Sequence, residues 1–454
     1  MDAEVLSVKP ADDCRTGHQP QDRARAGGED SADHSPARRP GDRVTGPRVD
    51  DRRYFGLDAL RGGMMMLGIV LHGAMLYLSA PPLMMPIPTD RNNAYVFDLI
   101  FAFIHSFRMP TFFVLAGFFT SLLIEKRGLW GTYRNRASRV LAPLAAGIVT
   151  ILPLTGLFMI DFMLRARFGT EDLIPDRAAL RALGEEMAAK GIPVGEPGLG
   201  HLWFLYYLCF FYLLIPACRW LVGRSLRFED RLKRCLDSPF LVVAFALYTA
   251  GTLWPFHGGQ VHEGFIYFKP HLPSLIYYGS FFVLGYVFHH YRGFLPALAR
   301  NVPAWAVLGA ILFPLSMYVS HLDNGARGAS FVLHLGAVLA NGLCTWTLIY
   351  LFVGCALRFF DRDAPWIVYV SQSSYWVFLV HMPLVCLAGW WLLQFDVPAV
   401  FKFLLVCGFT AVASFLTFHY WVQRTWVSAF LHGRRFDLDW PWVEAGPART
   451  RTSP

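Results

Sequence analysis

The chain has 454 residues, of which 54% are hydrophobic and only 16% charged, with a formal net charge of +8 and a mean hydropathy of +0.37. Soluble domains carry about 25% charged residues, so an ordinary soluble enzyme is excluded. Many apolar runs near the length of a bilayer span predict an all-α, polytopic integral membrane protein instead. The excess of Lys and Arg fits a positive-inside bias, and no nucleic-acid motif accompanies it. Eight cysteines are scattered, mostly inside apolar runs, with no CxxC pair and no metal-ligand spacing. They read as packing residues, and no metal is expected.

Residues 1–51 are polar, rich in Arg, Asp, Gly and Pro, and lack periodicity. They are expected to form a disordered cytoplasmic tail. No secretory signal peptide is expected, because the first apolar run begins only near Leu57. A membrane domain is predicted over 52–422, with a C-terminal cytoplasmic tail at 423–454. About ten spans are expected, near 58–80, 97–123, 140–164, 200–222, 239–256, 272–291, 303–320, 331–356, 369–393 and 399–421. With the N-terminus inside, the inner connections hold fourteen Lys and Arg and the outer ones eight, so the topology reads N-in, C-in. No internal repeat is visible, which argues against an inverted-repeat transporter.

The first span carries an unusual polar stripe. In DALRGGMMMLGIVLH, Asp58 lies one turn from Arg61, and Arg61 and His72 share a helix face roughly 16 Å apart. That places an ion pair near one membrane surface and an imidazole about halfway across. An ionisable group that deep is costly and usually functional. The plainer reading is a histidine satisfied by a neighbouring helix.

Other spans add to this. The second carries His105 and Arg108 at a comparable depth, and the ninth carries His381. Coincident depth on three spans points to a hydrated central cavity, against the alternative of a buried polar cluster that only specifies packing. Pro110 and Pro383 would each free a carbonyl to line it. The fourth span opens GLGHLWFLYYL, where His201 and Trp203 read equally as an interfacial aromatic belt or as a sugar-stacking platform. Arg136 and Arg139 stand one turn apart at the cytoplasmic mouth of the third span. They are either an inside anchor or a pair of guanidinium forks for phosphate.

Five segments in order, RYFGLDALRGGMMMLGIVLH, HSFRMPTFFVLAGFF, RNRASRVLAPL, HLWFLYYL and SSYWVFLVHMPL, resemble the membrane-bound acyltransferase type 3 family over about Tyr54 to Val422. HSFRM-x-x-FF and HLWFL are most similar to its branch that succinylates osmoregulated periplasmic glucans. The resemblance implies an enzyme of the bacterial inner membrane with a cytoplasmic acyl-CoA donor, succinyl-CoA for that branch, and a periplasmic carbohydrate acceptor. Other members O-acetylate lipopolysaccharide, peptidoglycan or macrolides. It implies that His72 carries the chemistry, and that Arg61-x10-His72 and Arg136-x-x-Arg139 are functional marks.

Together these readings give each residue an expected role. His72 acts as general base, and Arg108 or His381 stabilises the oxyanion, with Tyr375 as a further donor. Arg136 and Arg139, with Arg61 on the same side, hold the coenzyme. His201, Trp203 and His105 meet the sugar, and Asp58 fixes the first helix through Arg61. Two other functions compete: a transporter or exporter of an anionic or sugar substrate, and a structural partner without chemistry.

Overall fold

A computed structural model describes residues 54–80, 89–169, 177–189, 198–225, 241–261, 268–326, 330–437 and 440. The predicted tail at 1–51 lies outside the described residues. Among those described, the chain is helical, with helix in each of the ten predicted stretches. Among the described residues, six stretches are long and apolar enough to cross a membrane, and a seventh if one bent pair counts as a single span. The chain is therefore a multi-pass membrane protein.

The first helix, α1 (Phe55–Met75), ends earlier than the predicted span. The sequence Ser-Ala-Pro-Pro follows at 79–82, and proline disfavours helix in the residue before it. His72 therefore sits in the last turn of α1. The second, α2 (Tyr95–Arg136), runs past its predicted end because Leu, Glu, Lys and Arg at 122–127 are good helix formers. It breaks only at Gly128 (φ 70°, ψ 178°). A wide π-type turn, Ala137–Leu141, follows and carries Arg139. Such turns frequently mark functional sites.

The predicted span at 140–164 is two helices, α3 (Ala142–Val149) and α4 (Ile151–Phe168). The break falls at Thr150, shortly before Pro153, which has no N–H to continue the ladder. Within the long connection after α4 lies α5 (Arg177–Ala189), tied to it by Arg167–Glu186 at 3.0 Å. The fourth span is also broken. A 3₁₀ turn, Gly200–Leu202, leads into α6 (Trp203–Leu213), and α7 (Ile215–Ser225) leaves at 51°, with Pro216 in its first turn.

The remainder comprises α8 (Leu241–Leu253), α9 (Leu272–His290), α10 (Leu295–Arg300), α11 (Val302–Gly325), α12 (Phe331–Phe359), α13 (Pro365–Leu392), α14 (Ala399–Thr417) and α15 (Trp426–His432). The apolar windows of α11 and α14 are only 28% and 33% buried, against 72% for α12, so α11 and α14 form the outer wall. At the centre, α1 packs along α13 and also touches α2, α12 and α14.

Two contacts set this packing. Gly117 of α2 and Gly285 of α9 face the partner's backbone so closely that a Cβ on either would overlap a carbonyl, that of Phe282 or Val114. At the far end of α1, Lys402 donates to Asp90 at 2.7 Å, with both side chains buried, and so pins the α1–α2 connection to α14. Alongside, exposed Asp396 accepts from Asn92 and faces Arg91, and both hold its carboxyl below the usual carboxylate range.

Gly117→Ala should force α2 and α9 apart and lower stability by about 1–3 kcal/mol. Gly63→Ala, where a Cβ meets nothing within 4 Å, should not. Thermal unfolding of the detergent-solubilised variants checks this.

Candidate functional site

The site forms where α1, α2, α13 and the 3₁₀ turn before α6 meet. The rings of His72 and His381 lie 5.2 Å apart, centre to centre, and those of His381 and His201 are also 5.2 Å apart, nearly perpendicular. Arg108 reaches the same point past Gly68. A Cβ on Gly68 would lie 3.2 Å from Arg108 Nη2 and 3.5 Å from His381 Nε2, so glycine at 68 makes the space they share. Three imidazoles and one guanidinium, predicted on separate spans, therefore converge. His105 is stacked on Phe101 and hydrogen-bonded through Nε2 to the Val261 carbonyl at 2.9 Å.

Hydrogen bonds fix which nitrogen each ring offers. His381 Nδ1 is held by the Phe378 and Val377 carbonyls at 2.7 and 3.1 Å. A carbonyl only accepts, so Nδ1 carries a proton, and in the neutral ring Nε2 presents a lone pair. By the same argument, His201 Nε2 donates to the Leu379 carbonyl at 3.1 Å, leaving Nδ1 as its acceptor. Both lone-pair nitrogens are buried and have no hydrogen-bond partner among the described residues. His72 Nδ1 lies 3.2 Å from the Met75 thioether, a weak acceptor.

The two prolines account for part of this geometry. An interior proline leaves the carbonyl four residues earlier without its helical donor. For Pro383 that carbonyl is Leu379, and His201 takes it. For Pro110 it is Ser106, and Thr345 of α12 donates to it at 3.0 Å. Each freed carbonyl is thus paired by a side chain from a neighbouring element, as a buried backbone group requires.

A second polar group lies further along α1. Arg61 is buried, pairs with Asp58 at 3.4 Å and donates to Ser371 Oγ at 2.6 Å, so the pair ties α1 to α13. Beside it, Met65, Val140, Phe204, Leu208 and Tyr375 line a narrow pocket with room for about one water. The Tyr375 hydroxyl donates to the Arg139 carbonyl at 2.9 Å, which aims it toward the π turn. Trp203 is buried among Phe113, Tyr207 and Tyr278.

Arg136, at the end of α2, and Arg139, in the π turn, differ. Arg139 Nη1 donates to the Ala429 and Phe430 carbonyls, both at 2.8 Å, and so caps the end of α15. Residues 423–437, predicted as tail, supply that helix and then fold back, the Phe436 N–H donating to the Gln423 carbonyl ahead of it. Arg136 is buried. It faces the Tyr212 ring at 5.5 Å and touches Thr120 at 3.5 Å, while its Nε and Nη1 have no hydrogen-bond partner among the described residues. A buried guanidinium so placed favours an anion.

Sequence reasoning missed Gly68, Ser371 and the Leu379 carbonyl. Only the last had a signal, since Pro383 designates it by the four-residue rule. Among the described residues, no group of His, Cys, Asp or Glu is arranged to hold a metal ion.

Comparison with known proteins is consistent with this architecture. The model of the acyltransferase domain matches residues 54–419. Glucans biosynthesis protein C of Escherichia coli O139:H28 (strain E24377A / ETEC) is 24% identical over 363 residues, covering 76% of this chain and 84% of the relative. Its counterpart in Escherichia coli strain K12 is 24% identical over 355 residues, with the same shares. No solved structure matches. With the acyltransferase domain spanning most of its length, the chain belongs to the acyltransferase type 3 family and is an acyltransferase.

Proposed function

We propose that the protein carries a succinyl group from cytoplasmic acyl-CoA across the bacterial inner membrane to a hydroxyl of a periplasmic glucan. The observation that carries this reading is the convergence of His72, His381, His201 and Arg108 within a bundle of apolar helices. The glucan acceptor follows the name of the relatives, and the succinyl group follows the sequence segments that contain Arg108 and His201. The proposal keeps ten spans with both termini inside, which puts Arg136 and Arg139 on the cytoplasmic side.

In this reading the donor's phosphates lie against Arg136, whose buried charge lacks an anionic partner among the hydrogen bonds described. Arg139 divides its guanidinium between α15 and the donor, and Arg61 supports the entry through its pair with Asp58. Arg136 lies 28 residues along the chain from Arg108, and a narrow pocket opens beside Arg61 and Tyr375. The pantetheine arm would widen that pocket and bring the thioester up to His72.

The sugar hydroxyl enters from the other side, past Trp203 and His105. His72 Nε2 removes its proton as the oxygen attacks the thioester carbonyl carbon. Arg108, a pure donor, stabilises the oxyanion. The lone pairs on His381 Nε2 and His201 Nδ1 suit them to accept from sugar hydroxyls. The intermediate then collapses: the C–O bond stays, the C–S bond breaks, and the thiolate takes the proton from His72. Transfer is direct, and no proton is consumed overall.

Three outcomes test this. His72→Ala should insert and fold, yet lose transfer by roughly 10²- to 10⁴-fold. Mass spectrometry of periplasmic glucans from the variant and wild-type cells would show the loss of one substituent mass, which also names the acyl group. Arg136→Ala should raise the KM for acyl-CoA about tenfold or more, the loss of ~1.4 kcal/mol of binding, and change kcat less. Gly68→Val should do the reverse, lowering kcat by about 10²-fold through displacement of Arg108 and His381 while the donor KM holds. Steady-state kinetics on purified protein separates the two.

A further inference from the structure

We infer that Pro383 is a positioning residue, and that its missing N–H fixes His201 in the tautomer that receives the incoming sugar hydroxyl. The inference rests on the reading of His201 as a substrate residue given above.

The chain of contacts is short. Pro383 stands inside α13, six residues before Gly389 and two after His381. With no N–H at 383, the Leu379 carbonyl cannot be closed by its own helix. It lies in an apolar interior, where an unpaired carbonyl is costly. His201 is 6% exposed and comes from a different element, the 3₁₀ turn at Gly200–Leu202. Its Nε2 closes the Leu379 carbonyl at 3.1 Å. That bond requires the proton on Nε2, so Nδ1 is left as a lone pair. Nδ1 is buried, has no hydrogen-bond partner among the described residues, and belongs to a ring 5.2 Å from that of His381.

The neighbouring carbonyl extends the same logic. Phe378, one residue earlier, accepts from His381 Nδ1 at 2.7 Å. Two successive carbonyls of α13 therefore orient two imidazoles from different elements, and in each ring the other nitrogen is buried without a hydrogen-bond partner among the described residues. Restoring an N–H at 383 would let α13 close the Leu379 carbonyl itself. His201 would then lose the one hydrogen-bond partner it has among the described residues, and either ring nitrogen could hold the proton. A ring with its proton on Nδ1 offers a donor where the hydroxyl needs an acceptor.

The test combines a spectroscopic and a kinetic readout on the full-length protein. Nitrogen NMR of imidazole-labelled protein, assigned by comparison with His201→Gln, should show wild-type His201 protonated on Nε2. In Pro383→Ala that signal should move toward a mixture of tautomers. Pro383→Ala should lower kcat for glucan acylation roughly 10- to 100-fold with the acyl-CoA KM unchanged. His201→Gln should do the same, and the double variant should be no worse than His201→Gln alone. Pro314→Ala, which changes an exposed proline of α11, should alter neither readout. A wild-type His201 protonated on Nδ1 overturns the inference without any variant. So does a Pro383→Ala tautomer identical to wild type, or losses that multiply in the double variant. If the tautomers shift as expected while His72→Ala still acylates glucan, the fault lies with the proposed reaction and not with the role of Pro383 in setting the ring.

Discussion

A main-chain carbonyl buried among apolar helices cannot be left without a donor, and the centre of this protein is built on that constraint. Pro383 and Pro110 each open one such carbonyl beside the site. In both cases the donor comes from another element, His201 in one and Thr345 in the other. The prolines therefore do more than bend helices. They create obligatory attachment points that draw separate elements to one place and set the orientation of what they draw in.

The same economy appears at the opposite end of α1. Asp58 and Arg61 are both buried, and neither would be tolerated alone. Paired, with Ser371 accepting from the guanidinium, they lock α1 against α13. The face of α1 that carries His72 is thereby held against the helix that carries His381. Arg139 is used in a comparable way, since it caps α15 and closes the C-terminal segment over the π turn. Arg136 is different. It is buried against an aromatic ring with part of its guanidinium unmatched among the described residues, an arrangement that stabilises an apo chain poorly and suits one that binds an anion.

Much of this could be read from the amino-acid sequence. Apolar runs gave the helical membrane architecture, and three of the four polar residues expected deep in those runs, His72, Arg108 and His381, do meet; His105 turns to the Val261 carbonyl instead, and His201, read at the outer end of its span, joins the group. Their costliness in lipid is what made them visible. Helix ends were read less well. Proline near 81 and 153 shortened or split predicted spans, while good helix formers carried α2 through a connection expected to be a loop. The roles of Gly68 and Ser371 were invisible, because each depends on what stands opposite in another helix. Packing details were likewise out of reach of the sequence: the Trp203 ring lies among aromatic rings, and the Tyr375 hydroxyl donates to the Arg139 carbonyl.

The central claim is that one point inside the helical bundle is reached by coenzyme from below and by four basic side chains from around it. A cryo-electron microscopy map of the protein with coenzyme A tests it most directly. The account predicts phosphate density on Arg136 and the thiol end within hydrogen-bond reach of His72 and Arg108. Coenzyme density elsewhere, or His72 facing lipid and apart from His381, would contradict it.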